Sequence, residues 1–445
     1  MRYYSASKKV VGALMLALLL IGGLVLVFLA SPEEVRSAAP ESGGLHADAG
    51  GGALLSTSEL THHVYLPAIF RQYGPRSFRL GYCSTSGSVA QYPGIHELAA
   101  GWYVNFNVRS DPVRPLGMEY VQTVRLHQLT KCWDKKVRDR EVCPYVKPYT
   151  YTLTSPSTKG ALRSSVAANP GALWLIGNEM DRYDWGGGNP WNPDMVSPID
   201  PTQGQDEMLP EVYAVAYHEL YHLIKSVDPT ARVAIGGIIQ ATPARLWYLD
   251  TVWDTYKEKY GDVMPVDVWN VHNFIFKEKC DDYGADIPPG CPESVCKPND
   301  DGVPCYGKIY SDKKHNSLEI FDDQIRAFRK WMKKNGQQQK PLIVSEYGIT
   351  LFTGGMEDPD VVRDFMLETF DYFMTTRDCE LGYGADGCRL VQRWAWYSLD
   401  DASVNKYAYL FNPENRQMTA LGRAYASYAQ DYLDVRGTEV PGYWP

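Results

Sequence analysis

The chain has 445 residues, 44% of them hydrophobic and 22% charged, which is ordinary globular usage. It excludes a wholly disordered chain, a collagen-like repeat and a polytopic membrane protein. Lys and Arg number 44 against 53 Asp and Glu, a net charge of -9, and no long basic run exists. Nucleic acid is therefore not an expected partner. Aromatic residues are frequent at 13%, with 12 Trp and 31 Tyr, numbers that suit flat apolar ligands as well as core packing.

At the N-terminus, Arg2, Lys8 and Lys9 precede the uncharged apolar run Val10–Ala30. A positive flank followed by an apolar core reads either as a secretory signal, cleaved near Ala30 and Ser31 or near Ala38 and Ala39, or as an uncleaved signal anchor. Both readings leave the rest of the chain outside the cytoplasm, secreted or anchored to the cell membrane. Residues 32–75 form a flexible linker, rich at first in Gly, Ala and Ser. Residues 76–434 form the expected catalytic domain, monomeric, with 435–445 as a tail. All nine cysteines follow the apolar run, so disulfides are favoured over zinc. Cys132–Cys143 and Cys379–Cys388 are natural local pairs. Cys280, Cys291, Cys296 and Cys305 can hold two more, which leaves Cys83 over. The acidic residues Asp281, Asp282, Asp300 and Asp301 lack a D-x-D-x-D-G frame and read as a solvated disulfide loop rather than a calcium site.

Eight short apolar runs follow in order: Phe78–Cys83, Trp102–Phe106, Tyr120–Leu126, Leu173–Ile176, Val233–Ile238, Val266–Val271, Leu342–Val344 and Val391–Trp396. Near-continuous apolar strands separated by helical stretches indicate a parallel sheet covered on both faces. Eight such units predict an α/β fold, a (β/α)8 TIM barrel with disulfide-containing loop insertions, preceded by the single N-terminal apolar segment and its linker. The insertions follow strands three, four and six. Between strands two and three, Pro112 and Pro115 leave no room for a helix. Tyr213, Tyr217, Leu220, Ile224 and Val227 recur at helical spacing, and Pro229 ends that helix; Phe321, Ile325, Phe328 and Met332 mark another.

Two glutamates close apolar strands. Glu179 ends strand four in Leu175-Ile176-Gly177-Asn178-Glu179, and Glu346 ends strand seven in Leu342-Ile343-Val344-Ser345-Glu346. Alternation places Leu175, Gly177 and Glu179 on one face, and Leu342, Val344 and Glu346 on one face. With those faces inward, two carboxylates meet at the barrel mouth. Such a pair suits glycoside hydrolysis, in which one carboxyl protonates the leaving oxygen while the other attacks carbon or activates water.

These residues resemble glycoside hydrolase clan A, whose members are retaining barrels, over about 76–434. The resemblance implies Glu179 as acid/base, Asn178 at the sugar 2-hydroxyl and Glu346 as nucleophile. It further implies His272 beside the nucleophile and Trp396 as the floor of the sugar site. Gly101-Trp102-Tyr103-Val104-Asn105-Phe106 and Glu119-Tyr120-Val121-Gln122 resemble, within the clan, the glycosyl hydrolase catalytic-core family that includes endo-β-1,3-glucanases. Asn105 and His127, near the ends of strands two and three, and Trp185 in the loop after strand four (with Trp191) are further candidates for sugar contact. The implied activity is retaining hydrolysis of β-glycosidic bonds in a polysaccharide or oligosaccharide. The implied partner is that carbohydrate, and no cofactor or metal is required.

Two other readings stand beside it. One is a non-catalytic carbohydrate-binding barrel at the cell surface. The other is a zinc metallopeptidase through His218-Glu219-Leu220-Tyr221-His222, an H-E-x-x-H motif. Against the second, the helical wheel sets both histidines opposite the apolar stripe of Tyr217, Leu220 and Ile224, facing solvent.

Overall fold

Strands that must bury both faces need helices on one side and a closed interior on the other. The computed structural model has this arrangement. It describes residues 77–131, 140–183, 205–280, 284–297 and 305–436. The apolar run, the linker, the tail after 436, Cys132, Trp185, Trp191, Asp281, Asp282, Asp300 and Asp301 lie outside the described residues, all of which fall in one unit, Thr61–Pro445.

The strands are β1 (Ser77–Cys83), β2 (Ala100–Val104), β3 (Glu119–Gln128), β4 (Tyr151–Ser155), β5 (Leu173–Asn178), β6 (Arg232–Gly237), β7 (Trp269–His272), β8 (Leu342–Tyr347) and β9 (Arg393–Trp396). Eight of them run parallel in the order β6-β5-β3-β2-β1-β9-β8-β7, and the bridges Ala234–Val268 and Ile238–Val271 join β6 to β7 and close the ring. β4 stands outside it. It pairs antiparallel with the end of β3, from Arg125 to Gln128. The alternation in Tyr-Thr-Leu-Thr-Ser is a strand signal that the eight-run reading passed over. Barrel strands four to eight are consequently β5 to β9.

The described α-helices are α1 (Lys159–Ala168), α2 (Pro210–Val227), α3 (Pro243–Tyr260), α4 (Leu318–Lys334), α5 (Pro359–Thr375) and α6 (Ala420–Arg436). Each follows its strand: α1 comes after the β3–β4 hairpin and the others after β5 to β9. Between β2 and β3 only a 3-10 turn at Pro115–Gly117 forms, as the prolines require; β1 and β2 are likewise joined by 3-10 turns alone. Proline opens α2, α3 and α5, where its missing N–H costs nothing, and Gly261 ends α3 with φ of 68°.

Two apolar layers result. The barrel interior holds Cys83, Trp102, Val104, Val121, Leu173, Leu175, Ala234, Val268, Ile343 and Ala395. The larger layer, between strands and helices, holds Trp174, Ile176, Leu342, Val344, Trp394 and Trp396 among many others. At the N-terminal end of the barrel, Glu119 pairs with Arg393 at 2.8 Å and with Arg232 at 2.9 Å. That end carries compensated charge, and the uncompensated chemistry lies at the other.

Cysteine pairing follows spacing. Cys379 bonds Cys388, Cys280 bonds Cys305, Cys291 bonds Cys296, and Cys143 is disulfide-bonded. Cys83 is a free, buried thiol. Among the described residues no helix is long and apolar enough to cross a membrane.

Candidate active site

Glu179 owes its position to the way β5 ends. Leu173 and Leu175 face the interior, and the chain then leaves regular β geometry at Gly177 (φ 91°) and Glu179 (φ 51°). Its backbone N–H donates to Gly237 O at 2.9 Å. Residues 206–208 run beside the turn: Asp206 N donates to Asn178 O at 2.9 Å and Met208 N to Met180 O at 3.0 Å. The buried Asp206 carboxylate accepts from Asn178 N at 2.9 Å, Leu126 N at 3.2 Å and Arg125 Nε at 2.9 Å, tying β3 to β5.

β8 presents Glu346 differently from the simple alternation. Ile343 is in the barrel interior, whereas Leu342 and Val344 pack toward the helices. Continued alternation would turn Glu346 outward. Against β7 the register runs Val271–Val344 and then His272–Glu346; against β9 it runs Val344–Trp394 and then Tyr347–Trp396. One extra residue is present, a β-bulge, and it reverses the parity so that Glu346 faces the mouth.

His272 joins the two acids. Its Nδ1 lies 3.1 Å from Glu179 Oε1 and 3.6 Å from Glu346 Oε2, and one donor atom from each of the three residues lies within 4.8 Å of the others. All three are buried. The ring lies flat against the end of β6, where a Cβ on Gly237 would sit 2.2 Å from His272 Cδ2. Gly237→Ala is therefore expected to cost about 1–3 kcal/mol by overpacking and to displace the imidazole. Urea unfolding together with the His272 ring NMR signals checks this, and an unmoved midpoint with unmoved signals refutes it.

Charge at the site is uneven. Glu179 Oε2 accepts from Arg182 Nη1 at 2.7 Å and from Gln205 Nε2 at 3.2 Å. Burial alone raises its carboxyl pKa, but the Arg182 cation and the His272 hydrogen bond outweigh burial and hold it down at about 2. Glu346 is pushed up to about 7 by burial and by the negative charge of Glu179, against His272, Arg182 and Arg125. Burial lowers the pKa of His272, but the two carboxylates more than offset this, and the net direction is upward. The two acids titrate as a pair, and the Arg182 cation beside Glu179 makes Glu346 the one that holds a proton to higher pH.

The three residues stand at the C-terminal end of the barrel, where Glu179 and Glu346 line a cleft of about 750 Å³. Asn178 and Asn105 line it as well. The Asn178 amide makes no hydrogen bond to the described residues. Asn105 instead spends its Nδ2 on Ser84 O at 2.9 Å and Ser86 O at 2.7 Å. His127 is buried, with Nδ1 2.7 Å from Gln128 O, and does not line the cleft. Trp185 lies outside the described residues.

Trp396 is a correction. Ala395 faces the interior, so alternation turns Trp396 outward, where its ring meets Tyr347 and Phe365 and its Nε1 donates to Ala408 O at 2.8 Å. The aromatic that reaches the cleft from this strand end is Tyr397, whose hydroxyl donates to Asp401. Phe274, whose ring centroid lies 6.4 Å from that of Tyr397, and Phe276 also line the cleft. Arg182 and Gln205 escaped the sequence reading. Arg182 carried a local signal, three residues after Glu179; Gln205 had none, since only the fold brings it to the site.

The H-E-x-x-H segment serves helix packing. His218 is not turned to solvent as the wheel suggested: it stacks on Tyr260 of α3 with centroids 3.6 Å apart, and its Nδ1 lies 2.8 Å from Tyr256 Oη. Glu219 bonds Lys159 at 2.5 Å and Tyr151 at 2.8 Å. None of the three polar residues of the motif lines the cleft, so the metallopeptidase reading lacks a site there. Among the described residues, the one group whose donor atoms could converge on a cation is Glu179, His272 and Glu346.

No protein-family model matches the chain, and no curated protein matches it. Solved structures do. A GH128 (subgroup II) endo-β-1,3-glucanase from Sorangium cellulosum aligns over 79% of this chain and 98% of its own, at 16% identity and a TM-score of 0.43. The corresponding enzyme from Pseudomonas viridiflava aligns over 79% and 98%, at 14% identity and 0.45. A glucosidase from Croceicoccus marinus aligns over 80% and 67%, at 11% identity and 0.44. Likenesses this distant say nothing about substrate.

Proposed function

We propose that this chain is a retaining glycoside hydrolase that cleaves β-glycosidic bonds in a polysaccharide or oligosaccharide outside the cytoplasm. The observation that carries the reading is the pair of buried carboxylates at the barrel mouth, their oxygens within 4.8 Å of one another. A spacing near 5–5.5 Å leaves room for the anomeric carbon and its leaving oxygen but not for a water molecule on the far side. Glu346 attacks the anomeric carbon while Glu179 protonates the departing oxygen; water then releases the sugar with Glu179 as base. The amide of Asn178, unbonded among the described residues, is placed to hold a ring hydroxyl. Disulfides in the loops fit an oxidising compartment.

For these roles the proton must pass from Glu346 to Glu179 when substrate arrives. A leaving-group oxygen that takes the place of Arg182 at Glu179 Oε2 removes the cation that keeps that acid ionised. His272, within reach of both, gives the Nδ1 proton it shares with Glu179 to that acid and takes up the proton of Glu346 at the same nitrogen. Arg182→Gln tests the arrangement. Loss of a neighbouring positive charge destabilises both carboxylates, so both pKa values rise and both limbs of the pH–rate bell move to higher pH. A bell left in place would remove Arg182 from the mechanism.

The resting proton on Glu346 also favours a second reading, a sugar-binding barrel without turnover. A panel of β-1,3-glucan, β-1,4-xylan, β-mannan and a uronate-bearing glycan such as glucuronoxylan, with product analysis, separates the two. Calorimetric binding with no product on any glycan supports the second and ends the first.

A further inference from the structure

One cation in the cleft has been given no task. Arg109 lines both the main cleft and a side pocket of about 40 Å³ that opens beside it, together with Ser86, Gly87 and Asn105. Its guanidinium is held by neutral groups, the Asn105 amide oxygen and the Tyr120 hydroxyl. Nε donates to Asn105 Oδ1 at 3.2 Å and Nη2 to the same oxygen at 2.9 Å. That oxygen cannot be exchanged for the amide nitrogen, because Nδ2 is committed to two backbone carbonyls, Ser84 O and Ser86 O. The backbone of Arg109 is clamped as well. Its N–H donates to Gln122 Oε1 at 2.8 Å, and its carbonyl accepts from Gln122 Nε2 at 2.9 Å and Asn169 Nδ2 at 3.1 Å.

Three buried amide side chains thus fix one arginine, and none of them neutralises it. No carboxylate lies within ion-pair distance of Arg109 among the described residues. Asp111, which lines the side pocket, makes no ion pair with it. The nearby phenols are no substitute: burial raises the pKa of Tyr103 to about 12 and that of Tyr120 further, so both remain neutral. By contrast, Arg125 is paired with Asp206 and Arg182 with Glu179. A half-buried guanidinium held in place by neutral acceptors at the wall of a cleft is suited to a planar anion.

We propose that Arg109 forms a subsite for a carboxylate-bearing sugar, so that the glycan cleaved here carries uronic acid residues. The inference rests on the glycosidase reading for its location but not for its test. The cleft otherwise offers the negative groups Glu179 and Asp401, which repel an anion bound elsewhere and so confine it to the Arg109 corner.

The probe is D-glucuronate, titrated into the full chain by NMR or calorimetry, with D-glucose as the neutral control. Glucuronate is expected to bind more tightly than glucose. The preference should shrink as salt rises and fall about tenfold in Arg109→Gln, the loss of one charge-assisted pair. Arg109→Lys, which keeps the charge and loses the fork, should lie between. Equal binding of glucuronate and glucose by the unaltered chain, or a preference that Arg109→Gln leaves intact, overturns the proposal. The salt dependence reads the same charge without any variant, and a preference indifferent to salt counts against it. If the glycan panel yields products while glucuronate is ignored, the subsite fails and the glycosidase stands. If glucuronate binds and no glycan is cleaved, the reverse holds.

Discussion

Glu346→Ala is expected to lower the rate of glycan hydrolysis by about 10⁴-fold or more, and Glu179→Ala by about 10²–10⁴-fold, with the fold retained in both. The two losses differ in kind. Without Glu346 there is no nucleophile, and the glycosyl-enzyme cannot form. Without Glu179 the nucleophile survives, so a substrate with a good leaving group still glycosylates the enzyme, and the second step stalls for want of a base. Exogenous azide separates the cases. In Glu179→Ala it attacks the glycosyl-enzyme and gives a glycosyl azide of retained configuration. In Glu346→Ala it occupies the vacated space, attacks directly and gives the inverted azide. The measurement is residual activity on the best glycan of the panel plus the anomeric configuration of the azide by NMR. Full activity in either variant ends the assignment of the pair. Both surfaces are buried but small, so circular dichroism and the urea midpoint should show little change.

The second large effect is structural. Arg245 is completely buried, with its Nε 3.1 Å from Glu278 Oε1 and its Nη1 3.2 Å from Asp181 Oδ2. Nη2 donates to Ala285 O at 2.7 Å and to Asp286 O at 2.6 Å, and Nη1 donates to Asp181 O. One side chain therefore holds the turn that carries Glu179 and Arg182 against the cysteine-rich insertion after β7. Burial raises the pKa of Asp181 to about 6, and Arg245 opposes that rise. Arg245→Met leaves Asp181 and Glu278 buried without their cation, which is expected to cost about 3–5 kcal/mol. The urea midpoint reads the loss. Activity should fall with it, since Asp181 stands two residues from Glu179. A midpoint within error of the unaltered chain would contradict the role given to Arg245.

The barrel was readable in the sequence because its eight strands are buried on both faces and so appear as apolar runs. The acids were readable because a Glu at the end of such a run conflicts with its surroundings. What the sequence concealed was direction. Trp396 and Tyr397 are neighbours, and only the register of β9 tells which one turns inward. β4 was hidden inside a segment marked by its cysteines. Arg182 and Gln205 reach Glu179 through loop geometry that no periodicity encodes, and the clamp of Asn105 and Gln122 on Arg109 depends on how the loop after β2 folds back on β3. His218 misled the wheel argument because a helix face turned from its own sheet can still be covered by the next helix.

The doubled residue of β8 makes the aim of Glu346 a matter of how the strand pairs rather than of simple alternation. In a strand of the same length that paired regularly, Glu346 would turn into the helix layer beside Leu342 and Val344, whereas deleting Ser345 removes the doubled residue and leaves Glu346 in step with the interior-facing Ala395. Anyone transplanting the site onto another barrel must carry over the irregularity as well as the side chains.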